Sequence, residues 1–89
     1  MEIFFKPSFL KDFKKLPKNI QLEVRDICFE VFPKIKNLNE LNLDIKQLKG
    51  FKNFYRIKIG DYRLGFKKEN NKIIFMRVKH RKDIYKLFP

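Results

Sequence analysis

The stretch FYRIKIGDYRLGF (residues 54–66) decides the fold, because its apolar and polar residues alternate on both sides of a Gly60–Asp61 pair. This alternation predicts a β-hairpin, and glycine in the first turn position suits the positive φ of a type II′ turn. A two-residue turn also fixes the register, which places Lys58 directly opposite Arg63. One face of the hairpin is apolar and is expected to pack on helices; it carries Tyr55, Ile57, Ile59, Tyr62, Leu64 and Phe66.

The other face of the hairpin is cationic and carries Arg56, Lys58, Arg63, Gly65 and Lys67. Like charges that face each other across two strands destabilise a hairpin. The only acid close to them in the sequence is Asp61, which lies in the turn. Either water solvates the splayed side chains, or an anion normally occupies the space between them. Gly65 favours the anion, because the missing side chain opposite Arg56 is expected to leave a shallow trough among the cations.

The excess of positive charge is confined to the second half of the chain. Residues 1–45 carry eight Lys and Arg against seven Asp and Glu, a net charge of +1. Residues 46–89 carry fourteen against three, a net charge of +11. Solubility alone does not require this asymmetry, whereas a polyanionic partner does, and nucleic acid is the commonest polyanion.

Two helices are predicted between a short N-terminal strand and the loop that precedes the hairpin. The strand MEIFFK ends at Pro7, and Ser8 is expected to cap the first helix. The apolar positions of this helix are Phe9, Leu10, Phe13 and Leu16. The second helix runs from Lys18 to about Phe32 and is closed by Pro33. Its buried stripe consists of Ile20, Val24, Ile27, Cys28 and Val31.

The predicted fold is a single α+β domain over residues 1–89, with the order β-α-α-β-β-β. After the helices, a loop is pinned to the core by Leu38, Leu41 and Leu43. Three strands follow, at about 53–59, 62–67 and 73–79. KKENNK forms an exposed turn between the last two strands, and HRKDIYKLFP forms a short C-terminal helical tail. The antiparallel sheet carries the helical hairpin on one face, the first strand joins it after crossing under the helices, and the other face is expected to be open.

The residue counts exclude several classes of function. Cys28 is the only cysteine, and its apolar neighbours predict a buried thiol rather than a nucleophile. His80 is the only histidine, which excludes RNA cleavage by a histidine pair. The acids of the second half are too scattered for a carboxylate pair or a metal site. No apolar run approaches the ~20 residues of a membrane span, so a soluble, cytoplasmic protein without metal or cofactor is expected.

Three motifs carry a resemblance to a known family: LKG (48–50), YRIKIGDYRLGF (55–66) and HRKDIY (80–85). With the predicted order of elements, they make the chain similar to the RelE/ParE toxin superfamily, in particular to its RelE-like branch. The resemblance implies a metal-independent endoribonuclease (an mRNA interferase) that cleaves mRNA in the ribosomal A site and inhibits translation. It also implies a co-encoded acidic antitoxin, and a monomer when the toxin is free of that antitoxin.

Carried over to this chain, the resemblance implies a cationic active site. The expected catalytic residues are Arg56, Lys58, Arg63, His80, Arg81 and Tyr85. Arg63 and Arg81 are expected to hold the scissile phosphate. Lys58 and His80 are the candidates for general base or acid, and Tyr85 is expected to stack on a base or orient the 2′-hydroxyl. Further cations expected to bind RNA are Lys49, Lys52, Lys67, Arg77, Lys79 and Lys82.

The alternative interpretation is a protein that binds without catalysis, either a gyrase inhibitor like the ParE branch or a module that reads only the RNA backbone. Such a binder requires positive charge in the tail, but it does not require the specific side chains of His80, Arg81 and Tyr85. Two features depart from the family pattern: the spacing from Arg81 to Tyr85 is shorter than in the best-known members, and Arg56 stands where lysine is usual. The arginine keeps the charge but removes a group that is able to lose a proton.

Overall fold

The computed structural model describes residues 1–89 as one five-stranded sheet with three α-helices. In chain order the elements are β1 (Glu2–Phe5), α1 (Pro7–Lys14), α2 (Lys18–Asp26), β2 (Ile45–Gln47), β3 (Phe54–Ile59), β4 (Tyr62–Glu69), β5 (Lys72–His80) and α3 (Ile84–Leu87). The strands lie in the order β1-β5-β4-β3-β2. β1 pairs with β5 in parallel, and every other pair of neighbours is antiparallel. The α+β class, the meander of the last three strands and the return of the first strand to the sheet are confirmed.

The β3–β4 hairpin has the predicted register and turn. Gly60 has a φ of +57°, and Lys58 faces Arg63 across the two strands. All six residues of the predicted apolar face belong to the core or pack against it. The turn between β4 and β5 is tighter than predicted, because both strands continue to a two-residue Asn70–Asn71 connection. Asn70 has a φ of +54°, a conformation that asparagine tolerates better than most residues.

β2 is the strand that the sequence does not predict. Its three residues pair with β3, so that Lys46 lies beside Arg56. The segment before it, expected to be an irregular loop, contains a short 3₁₀ turn over Leu38–Glu40, and its leucines pack against the core as predicted. A three-residue strand is too short to show an alternating pattern, which explains why the sequence reveals no strand here.

The helical layer covers the apolar face of the sheet. Val24, Cys28 and Phe32 are fully buried, and the Phe32 ring meets those of Phe66 and Phe75 edge-on at 5.4 and 5.1 Å. Burial raises the pKa of the Cys28 thiol, in agreement with the predicted inert thiol. The second helix is not α-helical throughout: after α2 it widens into a π turn over Ile27–Val31 and tightens into a 3₁₀ turn at Phe32–Lys34. None of the helices could span a bilayer.

α1 lies along the part of β5 that β1 leaves unpaired. The predicted cap is wrong, because Ser8 lies inside the helix and donates its hydroxyl to the carbonyl of Met76 on β5 (2.8 Å). The predicted apolar stripe is also wrong at one position. Leu10 is exposed, whereas Asp12 is only 4% exposed and takes the inward position between Phe9 and Leu16.

The C-terminal tail covers the middle of the cationic face of the sheet. Ile84 and Phe88 are buried, and the Phe88 ring packs edge-on against Phe54 at 5.8 Å. A Cβ added to Gly65 would lie 2.7 Å from two atoms of the Phe88 ring. The predicted open face and the trough at Gly65 are therefore wrong at this position, because the glycine makes room for an aromatic side chain of the same molecule. Lys58 near the β3–β4 turn and Lys46 on β2 remain exposed.

Candidate nucleic-acid interface

Cations on the second face of the sheet form two adjacent rows. We call Lys58, Arg63 and Lys79 the tip row; they are neighbours across β3, β4 and β5, close to the β3–β4 turn. We call Lys46, Arg56, Gly65 and Arg77 the middle row; they are neighbours across β2 to β5, two residues further from that turn on β3 and β4. Strand pairing alone brings seven positions from four strands together, and six of them are Lys or Arg.

The two arginines of the middle row are held by carboxylates. Arg56 donates from Nη1 to both the side chain and the main-chain carbonyl of Asp44, each at 3.0 Å, and its side chain is only 13% exposed. This hydrogen bond and the neighbouring lysines lower the pKa of Asp44. Arg77 grips the carboxylate of Asp12 with Nε and Nη2, at 2.8 and 3.0 Å. The acid that relieves the repulsion at Arg56 is therefore Asp44, and not the turn residue Asp61.

Asp12 joins α1 to β5 and was missed by sequence reasoning. Besides Arg77, its carboxylate accepts a hydrogen bond from the main-chain N–H of Val78 at 3.1 Å and lies 3.4 Å from the amine of Lys79. Burying a carboxylate costs free energy unless the group is paired and hydrogen-bonded. These donors therefore compensate the cost of burying Asp12. The sequence does contain a signal of this burial, because Asp12 lies on the apolar stripe of the helix, three residues after Phe9 and four before Leu16.

Two of the three cations of the tip row, Lys58 and Arg63, have no carboxylate partner. Arg63 donates from Nη1 to the carbonyls of Gly60 and Tyr62, at 2.8 and 2.9 Å, which fixes its guanidinium at the turn and leaves the charge unpaired. Lys58 is exposed and forms no ion pair. Lys79, the third member, shares Asp12 with the middle row.

Arg81 joins this end of the sheet through the main chain. Its N–H donates to the carbonyl of Asp61 at 2.7 Å, which ties the segment after β5 to the β3–β4 turn. Its guanidinium lies 3.8 Å from the Asp61 carboxylate, a long ion pair, and its side chain is 59% exposed. Lys58, Arg63 and Arg81 are therefore accessible cations at one end of the sheet.

The other two expected catalytic residues lie elsewhere. His80 pairs with Tyr62 on the helix-facing side of the sheet, where their rings meet edge-on at 5.4 Å. Its Nδ1 accepts a hydrogen bond from the N–H of Lys82 at 3.2 Å. Tyr85 projects from α3 and is 55% exposed, beside Phe88. Of the six expected catalytic residues, Arg56 is adjacent to the accessible cluster but paired, and His80 and Tyr85 are outside it.

The expected RNA-binding lysines and arginine differ in accessibility. Lys67 is bound to Glu69 at 2.7 Å and lies 5.4 Å from the centre of the Phe54 ring. Arg77 and Lys79 share Asp12, as described above. Exposed cations without an ion pair remain at Lys49, Lys52 and Lys82. Arrangements of this kind bind phosphate groups and stabilise negative charge.

Comparison with known proteins identifies the family. A family model described as the ParE toxin of type II toxin–antitoxin systems matches residues 3–85. The chain is 43% identical to Toxin RelE3 of Methanocaldococcus jannaschii over 89 residues, which cover 100% of both chains. The structure is similar to the RelB–RelE antitoxin–toxin complex of Methanococcus jannaschii, with a TM-score of 0.82 and 43% identity over 97% of this chain and 99% of that chain. The isolated E. coli RelE toxin shares the fold at 19% identity, with a TM-score of 0.67 over 89% and 82% of the two chains.

Proposed function

This chain belongs to the ParE toxin family of type II toxin–antitoxin systems, and we propose that it is a ribosome-dependent endoribonuclease that cleaves mRNA in the A site. The observation that carries the proposal is the accessible cluster of Lys58, Arg63 and Arg81. The two arginines of the middle row have a structural carboxylate partner at 3.0 Å or less, whereas this cluster has none at that distance. The identity to a relative named RelE3 favours the RelE-like branch.

The proposed reaction is transesterification of RNA. The 2′-oxygen attacks the neighbouring phosphorus, the bond to the 5′-oxygen breaks, and the products are a 2′,3′-cyclic phosphate and a 5′-hydroxyl. Arg63 and Arg81 bind the phosphate oxygens and stabilise the extra negative charge of the transition state. We assign the proton transfer to Lys58, which takes the proton of the 2′-hydroxyl and returns it to the 5′-oxygen, because His80 lies on the other side of the sheet. Arg56 lies in the neighbouring middle row, where it is bonded to Asp44, and in this proposal it makes no contact with the reacting atoms.

The ribosome is required because the cluster supplies charge but little alignment. Cleavage needs the 2′-oxygen, the phosphorus and the 5′-oxygen in line, and correct alignment lowers a barrier by several kcal/mol. A flat, exposed sheet end does not bend a flexible RNA into that geometry. A ribosome that holds the codon in a fixed conformation supplies the alignment, and the toxin then supplies the charges.

The test compares cleavage of one mRNA, free and in a ribosome with an empty A site, with the ends mapped by primer extension. We expect cleavage on the ribosome, and a loss of about 10²-fold in Arg63→Ala or Arg81→Ala, the range for one preorganised donor. Lys14→Gln is the matched control, because Lys14 is an exposed cation on α1. Full activity of Arg81→Ala contradicts the proposed site. Inhibition of gyrase supercoiling without any cleavage supports the ParE-like alternative.

We also propose that an acidic antitoxin binds this chain, as RelB binds the related toxins in the solved complexes. A recess of about 190 Å³ on the helical layer has the character of a docking site for an amphipathic acidic helix. It is lined by Phe13, Leu22 and Phe29, with Lys18, Gln21 and Arg25 around them. Leu22 and Phe29 are each more than half exposed. Co-purification with the product of a neighbouring gene for a small acidic protein tests this, and Leu22→Asp should abolish the capture.

A further inference from the structure

A second aromatic surface lies beside the cationic face and is not used by the proposed cleavage chemistry. It is a groove of about 410 Å³ between the β2–β3 loop and the C-terminal tail. Its lining residues are Leu48, Lys49, Phe51, Tyr85, Phe88 and Pro89. A neighbouring recess over residues 47–52 shares three of these residues and adds Lys52. Neither recess is lined by an Asp or Glu side chain.

Two rings of the groove, Phe51 and Tyr85, are exposed, and Phe51 is the one that packs against another ring; 48% of it is exposed. Its ring meets Phe54 edge-on, at 6.2 Å and 86°, and Phe54 in turn meets Phe88 at 5.8 Å and 69°. These contacts cover part of Phe51 and leave this 48% of the residue open to solvent. The exposed part of the ring buries no surface on folding, whereas it offers a surface on which any nucleic-acid base can stack.

The loop that carries Phe51 is fixed by its own hydrogen bonds. The N–H of Phe51 donates to the carbonyl of Leu48 at 3.1 Å, and the N–H of Phe54 donates to the carbonyl of Phe51 at 3.1 Å. The N–H of Leu48 donates to the carbonyl of Phe54 at 2.8 Å, and the side chain of Gln47 bonds the carbonyl of Lys52. The ring is therefore in place before a ligand arrives, which reduces the entropy lost on binding.

Charge and distance connect the groove to the cationic cluster. Lys49 and Lys52 flank Phe51, are exposed and have no ion pair. Phe54, at the base of the loop, and Lys58, in the tip row, are four residues apart on β3, or about 13 Å. A single RNA strand bound at the tip row therefore reaches the groove a few nucleotides further on. No Asp or Glu side chain lines the groove itself.

We propose that this groove holds one unpaired RNA base, stacked on Phe51, with the adjoining phosphates on Lys49 and Lys52. The inference rests on the proposed function for its substrate class and adds a base-binding position remote from the scissile phosphate. An antitoxin helix is a worse fit, because it requires a continuous apolar strip like the recess at Leu22 and Phe29. The groove offers instead the exposed rings of Phe51 and Tyr85 beside Lys49, with Lys52 in the neighbouring recess.

The test measures stacking directly, with RNA that cannot be cleaved. Eight-nucleotide single strands with 2′-O-methyl riboses carry 2-aminopurine at one position at a time, and its fluorescence is quenched when the base stacks on an aromatic ring. We expect quenching at one position with the wild-type chain. Phe51→Ala should abolish this quenching and weaken binding about tenfold. Phe51→Trp should retain both, and Phe4→Ala is the control, since Phe4 is an equally exposed ring on β1.

Charge is tested separately by the salt dependence of the same binding. Lys49→Gln should reduce the slope of log affinity against log salt by about 0.7, the value for one phosphate contact on a single strand. Phe51→Ala should leave that slope unchanged. Quenching that survives in Phe51→Ala overturns the proposal, as does loss of antitoxin capture by Phe51→Ala with RNA binding intact. Because the oligonucleotides cannot be cleaved, these outcomes are independent of whether the chain cuts mRNA on the ribosome.

Discussion

Replacing Gly65 with alanine tests whether the tail is a fixed part of the cationic face. The added Cβ would lie 2.7 Å from two atoms of the Phe88 ring, well inside the ~3.5–4.0 Å of a relaxed carbon contact. Gly65 does not have a positive φ, so alanine causes no backbone strain there. Phe88 is 2% exposed, and the ring must shift for the methyl group to fit. We expect a loss of about 1–3 kcal/mol in the free energy of unfolding, as for other overpacked cores.

The matched comparison is the same change in a Phe88→Ala background, where the space is empty. Alanine at position 65 should then be neutral or stabilise the strand by about 0.5–1 kcal/mol relative to glycine. Urea and thermal unfolding of the four proteins give the two effects, and each kcal/mol corresponds to about 4–8 °C in Tm for a domain of this size. If Gly65→Ala destabilises both backgrounds equally, the methyl group meets something other than Phe88 and the reasoning is refuted.

Three further predictions concern the ion pairs and the tip row. Asp12→Asn should lower the free energy of unfolding by about 3 kcal/mol, the low end for breaking a buried pair, because the Arg77 side chain is 22% exposed; an unchanged urea midpoint contradicts this. Lys58→Gln should leave Tm unchanged or slightly higher, since it removes a cross-strand repulsion, while ribosomal cleavage falls. A loss of stability with intact cleavage would instead indicate that water alone solvates the cationic face. The lowered pKa of Asp44 means that its bond to Arg56 stabilises the fold above the unfolded pKa of about 3.9 and is lost as the pH falls through the lower folded value. Asp44→Asn should therefore flatten the stability profile in acid, and an unaltered slope between pH 5 and 2 shows that the bond contributes nothing.

The sequence predicts those parts of the fold that depend on local pattern. The β3–β4 hairpin is long enough to show its alternation, and its turn is defined by one glycine, so its register follows correctly. β2 has only three residues and exists because β3 has a free edge, a fact that no window of sequence contains. Alternation also assigns the side chains of β3 and β4 to the correct face of the sheet, but it does not show that the C-terminal tail covers the middle of the cationic face.

The candidate site is predicted less completely, because it depends on contacts between distant residues. The cations were found by composition and resemblance, but their partners were not. Asp12 meets Arg77 across 65 positions, and Asp44 meets Arg56 across 12. Gly65 is a clear example: an absent side chain indicates free space, and the sequence cannot tell whether a ligand or a residue of the same chain fills it.

The ion pairs explain how a chain with a net charge of +12 tolerates a cationic sheet face. Asp12 and Asp44 both come from the first half, whose net charge is only +1, and each pairs with an arginine of the second half. Both arginines lie in the middle row, where burial makes an unpaired charge most costly. Lys58 and Arg63 in the tip row have no such partner, so only water and counterions balance them. A phosphate that replaces those counterions binds the folded chain more tightly than the unfolded one, because folding brings Lys58 and Arg63 together, and it therefore stabilises the fold.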